Sequence, residues 1–296
     1  MVSTMTKIAI VATKDRVYGV NKSIELLGIN PVKGKNVIFK PNFNTADPPP
    51  ASSSMETIKQ LIIKLKDMGA KTITVAERSG PADTAKTFEK KGLYQLAKEL
   101  DFGIINLSEL PFEGYILKRP DESHWRDGFL FAKIYNDAEC IVETCCLKTH
   151  MYGGHFTLSL KNAVGLVPKK CMSELHSSRH QRKMIAEINT VYKPDLIVMD
   201  GVIAFVDRGP MDGTRKEANV FIAGTDKIAI DAIGVAILRI LGTTPEVSKG
   251  SIFDQDQIKR AIELGIGITS PKGIEFITDS KDAEQLVAKI KEKLAE

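Results

Sequence analysis

Apolar positions along the chain follow two patterns. One is the short continuous run of Val, Ile and Phe, as in KIAIVA (Lys7–Ala12) and NVIFK (Asn36–Lys40). Such runs predict strands covered on both faces of a sheet. TITVAE (Thr72–Glu77), ECIVET (Glu139–Thr144), DLIVMDGV (Asp195–Val202), NVFIAGT (Asn219–Thr225) and GIEFIT (Gly273–Thr278) have the same character. The other pattern is helical spacing. Ile58, Leu61, Ile62 and Leu65 form a stripe, introduced by a Ser53-x-x-Glu56 capping-box signature and closed by Gly69. Further helices are predicted at about Met172–Tyr192, Asp226–Leu241, Gln255–Leu264 and Lys281–Leu294. The Asp226–Leu241 segment is apolar on nearly every face, which predicts a buried helix.

The β-loop-α-β order implies parallel strands joined by right-handed crossovers. The expected fold is α/β in three layers, a largely parallel sheet with helices on both faces. Residues 103–133 are less regular, and their short strands predict a small antiparallel insertion. No repeat or linker divides the chain, so a single compact domain over 1–296 is expected, with DPPPASSS (Asp47–Ser54) as a rigid loop.

Composition narrows the function classes. At 43% hydrophobic and 26% charged, the 296 residues are ordinary globular material. No apolar run approaches the ~18 residues of a membrane span. The N-terminus, MVSTMTKIAIVATKD, lacks the apolar h-region and cleavage site of a signal peptide, so a cytoplasmic location is expected. A net charge of +4, with Lys and Glu interleaved, is too dispersed for a nucleic-acid footprint. Neither nucleic acid nor membrane is an expected partner, and the oligomeric state stays open. Cys140, Cys145, Cys146 and Cys171 show no C-x-x-C spacing, so no iron–sulfur cluster is expected.

In open α/β sheets, ligands sit beyond the carboxyl ends of strands. NVIFK runs into Pro41-Asn42-Phe43-Asn44, TITVAE into Arg78-Ser79-Gly80, ECIVET into Cys145-Cys146-Leu147-Lys148-Thr149-His150, and DLIVMDG toward Asp207-Arg208-Gly209-Pro210. Lys40, Lys148 and Lys161 each precede an asparagine or histidine by one or two residues. Lysine beside amide donors suits a carboxylate or phosphate, and a desolvated lysine can serve as nucleophile or base. Lys148 and Lys161 also flank Gly153-Gly154, where backbone N–H groups can approach an anion. The plain alternative is a set of lysines snorkelling to water around a turn.

Four of the five histidines, His150, His155, His176 and His180, lie between residues 150 and 180. On one continuous helix His176 and His180 would share a face and could clasp a divalent metal, or they could be two hydrogen-bonded imidazoles. Asp231, inside the apolar helix, needs a partner, because an unpaired buried charge is costly. It either caps a neighbouring loop or faces the cleft, while Asp226 suits the helix N-terminus. Gly209-Pro210 with Gly213 forms a constrained turn that lines the site or only reverses the chain.

Taken together, Lys40-Pro41-Asn42, Lys148-Thr149-His150, Leu160-Lys161-Asn162, Gly165-Leu166-Val167-Pro168, His176, Gly209-Pro210 with Gly213, and Asp226 with Asp231 resemble the DUF362 family, in order and spacing, over residues 36–265. Many members carry a ferredoxin-like cysteine segment that is lacking here, so their iron–sulfur label does not transfer. Cys145-Cys146 also stand where relatives often place a proline, which leaves the role of those thiols open. A fainter similarity links His150, Lys161 and His176 to the lactate racemase family. That resemblance would imply a lysine tethering a nickel-pincer nucleotide and histidines serving as ligand and acid/base. Leu158-Ser159-Leu160-Lys161 replaces that family's Gly-Gly-Arg-Lys core, and His155 is an extra histidine.

The reading that results is an anion-binding cleft built from Lys40, Asn42, Lys148 and Asn162, with Gly209 and Asp231 alongside. His150, Lys161 and His176 are its candidate catalytic groups. The expected function is an enzyme or cofactor-handling protein acting on a small anionic molecule. A non-catalytic metal or ligand carrier, and a racemase-like enzyme, are the alternatives.

Overall fold

The computed structural model describes residues 5–296. Residues 1–4 of the expected domain lie outside the described residues. The strands are β1 (Thr6–Ala12), β2 (Asn36–Lys40), β3 (Thr72–Glu77), β4 (Gly103–Asn106), β5 (Tyr115–Lys118), β6 (Phe129–Ala132), β7 (Cys140–His150), β8 (His155–Thr157), β9 (Leu196–Phe205), β10 (Arg215–Gly224) and β11 (Ile274–Thr278). The helices are α1 (Arg16–Leu27), α2 (Met55–Asp67), α3 (Thr84–Lys90), α4 (Leu93–Leu100), α5 (Lys133–Asn136), α6 (Ser159–Asn162), α7 (Met172–Ser177), α8 (Gln181–Ile188), α9 (Lys227–Leu241), α10 (Pro245–Ser248), α11 (Asp256–Glu263) and α12 (Lys281–Ala295).

Nine strands form the main sheet in the order β11-β1-β10-β9-β7-β2-β3-β4, with β8 paired to β7. The fold is α/β, and its sheet is largely parallel. β10 runs antiparallel to both neighbours, and β8 folds back on β7 as a hairpin. Side chains alternate between two cores, as a doubly covered sheet requires. Along β1, Ala9 and Val11 pack toward α1 and α2, while Ile8 and Ile10 pack toward α9 and α12. A third cluster joins Ile38 and Ile141 to α7, α8 and the β5-β6 segment. Every residue of α9 from Lys227 to Leu238 is buried, as its all-round apolar sequence predicts.

Several expectations need correction. The antiparallel insertion is the β5-β6 pair alone; β4 belongs to the main sheet, beside β3. The strand expected to end at Thr144 continues through Lys148-Thr149-His150, buried throughout, because β8 supplies it with a new partner beyond Cys146. The Ser53–Glu56 capping box does not form. Ser54 is the N-cap residue of α2, and the Ser53 hydroxyl accepts the Asn42 N–H at 2.9 Å instead. The helix expected over Met172–Tyr192 breaks at Ser178, whose backbone is extended. Among the described residues no helix is long and apolar enough to cross a membrane.

Candidate functional site

β2, β3, β7 and β9 are mutually parallel, so their carboxyl ends open on one side of the sheet. A cavity of about 70 Å³ lies there. Lys40, Asn42 and Asn44 reach it from the end of β2, Glu77 and Arg78 from β3, and Lys148 and His150 from β7. Thr157 of β8, Lys161 and Asn162 of α6, and Pro210 beyond β9 complete its polar wall and rim. The structure thus brings Lys40, Asn42, Lys148, His150, Lys161 and Asn162 around one space.

Within that space the lysines have different partners. Lys40, 1% exposed, donates to Glu77 Oε2 at 2.7 Å, to the Pro41 carbonyl at 2.7 Å and to Asn162 Oδ1 at 3.0 Å. Its three donors are used and its charge is paired. Glu77 also accepts the Phe43 and Arg78 N–H groups, at 3.0 and 2.7 Å. Gly165 packs over this pair, where a Cβ would come within 2.7 Å of Glu77 Oε1. Lys148 donates to Asn42 Oδ1 and to the Ala51 carbonyl. Asn42 in turn donates to Asn162 Oδ1 at 3.1 Å, and Asn162 donates to the Thr144 carbonyl at 3.2 Å. Lys40, Asn42, Lys148 and Asn162 therefore form one continuous hydrogen-bonded frame.

Lys161 is different. Most of its side chain is buried, but its Nζ, with neither a hydrogen bond nor an ion pair among the described residues, is not one of the buried unpartnered atoms, and the residue lines the cavity. Burial, then the charges of Lys148 and Arg78, draws its pKa down to about 8. Beside it, His150 is held well below the usual imidazole range by burial and by Lys161 and Lys148, so it is neutral at pH 7. Arg78 anchors through Nη atoms to the Ser79 and Val164 carbonyls, which leaves its Nε without a partner. Asn44 Nδ2, His150 Nδ1 and Thr157 Oγ1 on the same wall are also unpartnered. Buried polar atoms normally find partners, so four left open around one cavity mark a place for something polar. Glu77 is the carboxylate on the wall and Lys40 neutralises it; Lys148, Arg78 and a protonated Lys161 leave the balance positive.

The remaining sequence-predicted residues lie outside the lining. His176 is exposed, and its Nδ1 pairs with the Gln181 amide at 2.9 Å. Because of the break at Ser178, His180 precedes α8 rather than sharing a face with His176. Its ring packs on His124, 4.6 Å between centroids. The expected two-histidine clasp is therefore not formed, and no group of three His, Cys, Asp or Glu side chains suited to a metal occurs among the described residues. Gly209 packs against the Thr149 carbonyl, behind Pro210. Asp231 takes the first of the two roles open to it: it accepts the backbone N–H groups of Ser159 and Leu160. Cys145 and Cys146 are buried thiols whose pKa values burial raises.

Two residues central to the geometry were not singled out from sequence, Glu77 and Arg78. A carboxylate closing one apolar strand, where a lysine closes another, is the available signal for Glu77.

A family model described as "Domain of unknown function (DUF362)" matches residues 37–236. The chain belongs to DUF362. The matched range of this DUF362 chain includes every polar residue lining the cavity. The thylakoid-associated protein sll1697 of Synechocystis sp. is 25% identical over 216 residues. That alignment covers 70% of this DUF362 chain, which spans 64% of the relative's length. Among solved structures, the lactate racemase apoprotein of Thermoanaerobacterium thermosaccharolyticum is similar, with a TM-score of 0.48 at 13% identity, over 95% of this chain and 85% of that one.

Proposed function

We propose that the cavity receives the anionic head, a carboxylate or phosphate, of a small molecule, and that Lys161 with His150 forms the reactive pair of an enzyme. One observation carries this reading. In a frame where Lys40 and Lys148 are tied to oxygen acceptors, the Lys161 amine is the one lysine group on the cavity with no hydrogen-bond or ion-pair partner among the described residues. A protonated amine kept so costs stability that an anion would return. Arg78 Nε, Asn44 Nδ2 and Thr157 Oγ1, on residues of the same wall, also lack protein partners. An amine with a pKa of about 8 exchanges its proton near neutral pH and can itself act as base or nucleophile, and the imidazole beside it, held neutral, adds no competing charge. A carrier needs the same donors but no tuned amine, so the tuning favours an enzyme.

The space of about 70 Å³ suits a head group and is far below the roughly 300–1,000 Å³ of sites that enclose larger ligands. With His176 outside the wall, this speaks against the nickel-pincer nucleotide implied by the racemase resemblance. Titration calorimetry with sulfate, phosphate and small carboxylates tests the reading. Lys161→Met, which keeps the aliphatic stem, should weaken binding by about 1.5–3 kcal/mol. A variant that binds all three as well as the parent would remove the anion site.

A further inference from the structure

Behind the cavity lies a second set of buried polar side chains that the proposed chemistry does not touch. Glu143, Ser159, Asn189, Tyr192, Lys227 and Asp231 are all at most 3% exposed. Burial pushes the Asp231 and Glu143 carboxyls up, Asp231 to about 8, and draws the Lys227 amine down to about 8, so what these groups hold is informative. Asp231 Oδ1 accepts the Ser159 N–H at 2.8 Å, and both its oxygens lie 3.3 Å from the Leu160 nitrogen. These are the first amides of α6, whose own N-cap residue, Leu158, has no side-chain acceptor to offer. On the other side of the same residue, Asn189 Nδ2 donates to the Leu160 carbonyl at 2.9 Å. The Lys227 amine donates to Asn189 Oδ1 and sits 3.7 Å from the Tyr192 ring centroid. Gln257 braces Asp231 from α11, at 3.4 Å. Leu160 is thus gripped at both N–H and C=O, and the next two residues are Lys161 and Asn162.

We infer that Asp231 is a positioning residue for the cavity: its carboxylate holds the Ser159 and Leu160 amides and so sets the direction from which Lys161 enters. This rests on the reading of Lys161 as the functional amine. The consequence differs from that of an ordinary helix cap. An ordinary cap contributes stability alone. A grip on the peptide beside Lys161 also determines how far its Nζ is kept from water, and so how far its pKa is lowered.

Competitive labelling of the full chain with acetic anhydride across pH 6–11, read by mass spectrometry on the peptide that carries Lys161, gives the amine's midpoint directly. The parent should label with a midpoint of about 8. In Asp231→Asn, which keeps the side-chain shape and replaces one acceptor oxygen by an N–H donor, the midpoint should rise by about one unit or more toward the ordinary 10.5, a roughly tenfold slower reaction at pH 7. Asn189→Ala, which releases the Leu160 carbonyl, should move it in the same direction, and it carries the test if Asp231→Asn does not fold. A lower melting temperature with the midpoint still at about 8 would make Asp231 a structural cap and overturn the inference. The midpoint is read without sulfate or phosphate and at trace anhydride, which keeps the acetate it releases low, so failure of the anion-site reading shows separately, as undiminished sulfate binding by Lys161→Met.

Discussion

Lys40 Nζ and Glu77 Oε2 meet at 2.7 Å across the ends of two adjacent parallel strands, with both side chains at most 2% exposed. The pair neutralises itself within a cavity whose other charged lining residues, Arg78, Lys148 and Lys161, are cationic. Breaking a buried pair by removing one partner leaves an uncompensated charge. Glu77→Gln should therefore destabilise the protein by about 3–5 kcal/mol in denaturant unfolding. The double change Lys40→Met with Glu77→Leu should cost clearly less than the sum of the single changes, because it leaves no stranded charge. Additive costs would mean the two groups act independently.

Gly165 lies over that pair at a distance that leaves no room for a methyl group. A Cβ there would fall 2.7 Å from Glu77 Oε1 and 3.1 Å from Lys40 Nζ. Both atoms are locked in hydrogen bonds and cannot swing away. Gly165→Ala is expected to cost about 1–3 kcal/mol as an overpacking change, although the added group is apolar and small. A melting temperature equal to the parent's would show that the backbone yields there.

The Lys161 amine couples stability to pH. Its folded pKa of about 8 lies below the ordinary 10.5, so between those values the unfolded chain binds more protons than the folded one. Stability from this group therefore rises with pH across that window, and below about 8 the folded protein carries the full cost. Lys161→Met should be more stable than the parent at pH 7, by an amount of order 1–3 kcal/mol. The gap should close as pH rises from 8 to 10.5. A gap that does not change with pH would assign the effect to packing.

Sulfate does not titrate in this range, so its affinity reports on the protein alone. Binding that needs a protonated Lys161 should be level below pH 8 and weaken above it, by up to about tenfold per unit. The same profile measured on Lys161→Met should be flat and weaker throughout. A parent profile that is flat to pH 10 would put the anion on Arg78 and Lys148 instead.

Much of this architecture is legible in the sequence because its strands are uninterrupted apolar runs. β2 and β3 occur with their expected bounds, and α9 is buried as its composition demands. The misses have physical causes. Lys148-Thr149-His150 reads as loop because polar residues seldom continue a buried strand. Here they do so because the Lys148 amine finds Asn42 and Ala51. α1 escapes notice because part of its buried face is Gly19 and Ser23, which break the apolar stripe. Nothing local marks the break at Ser178, since no glycine or proline stands there; it is the break that separates His176 from His180. Convergence of the lysines can be argued from strand ends, but their division of labour cannot. Only the partner atoms show that Lys40, Asn42 and Asn162 form a frame and that Lys161 is left open.

Whether the cavity beside Lys161 holds an anion can be seen by anomalous diffraction from crystals soaked in selenate. A selenium peak is expected in the cavity, with an oxygen about 2.7–3.0 Å from Lys161 Nζ. The peak should be lost in Lys161→Met. Selenium peaks confined to surface lysines, with the space between Lys161, Arg78 and His150 holding only water, would contradict an anion site there.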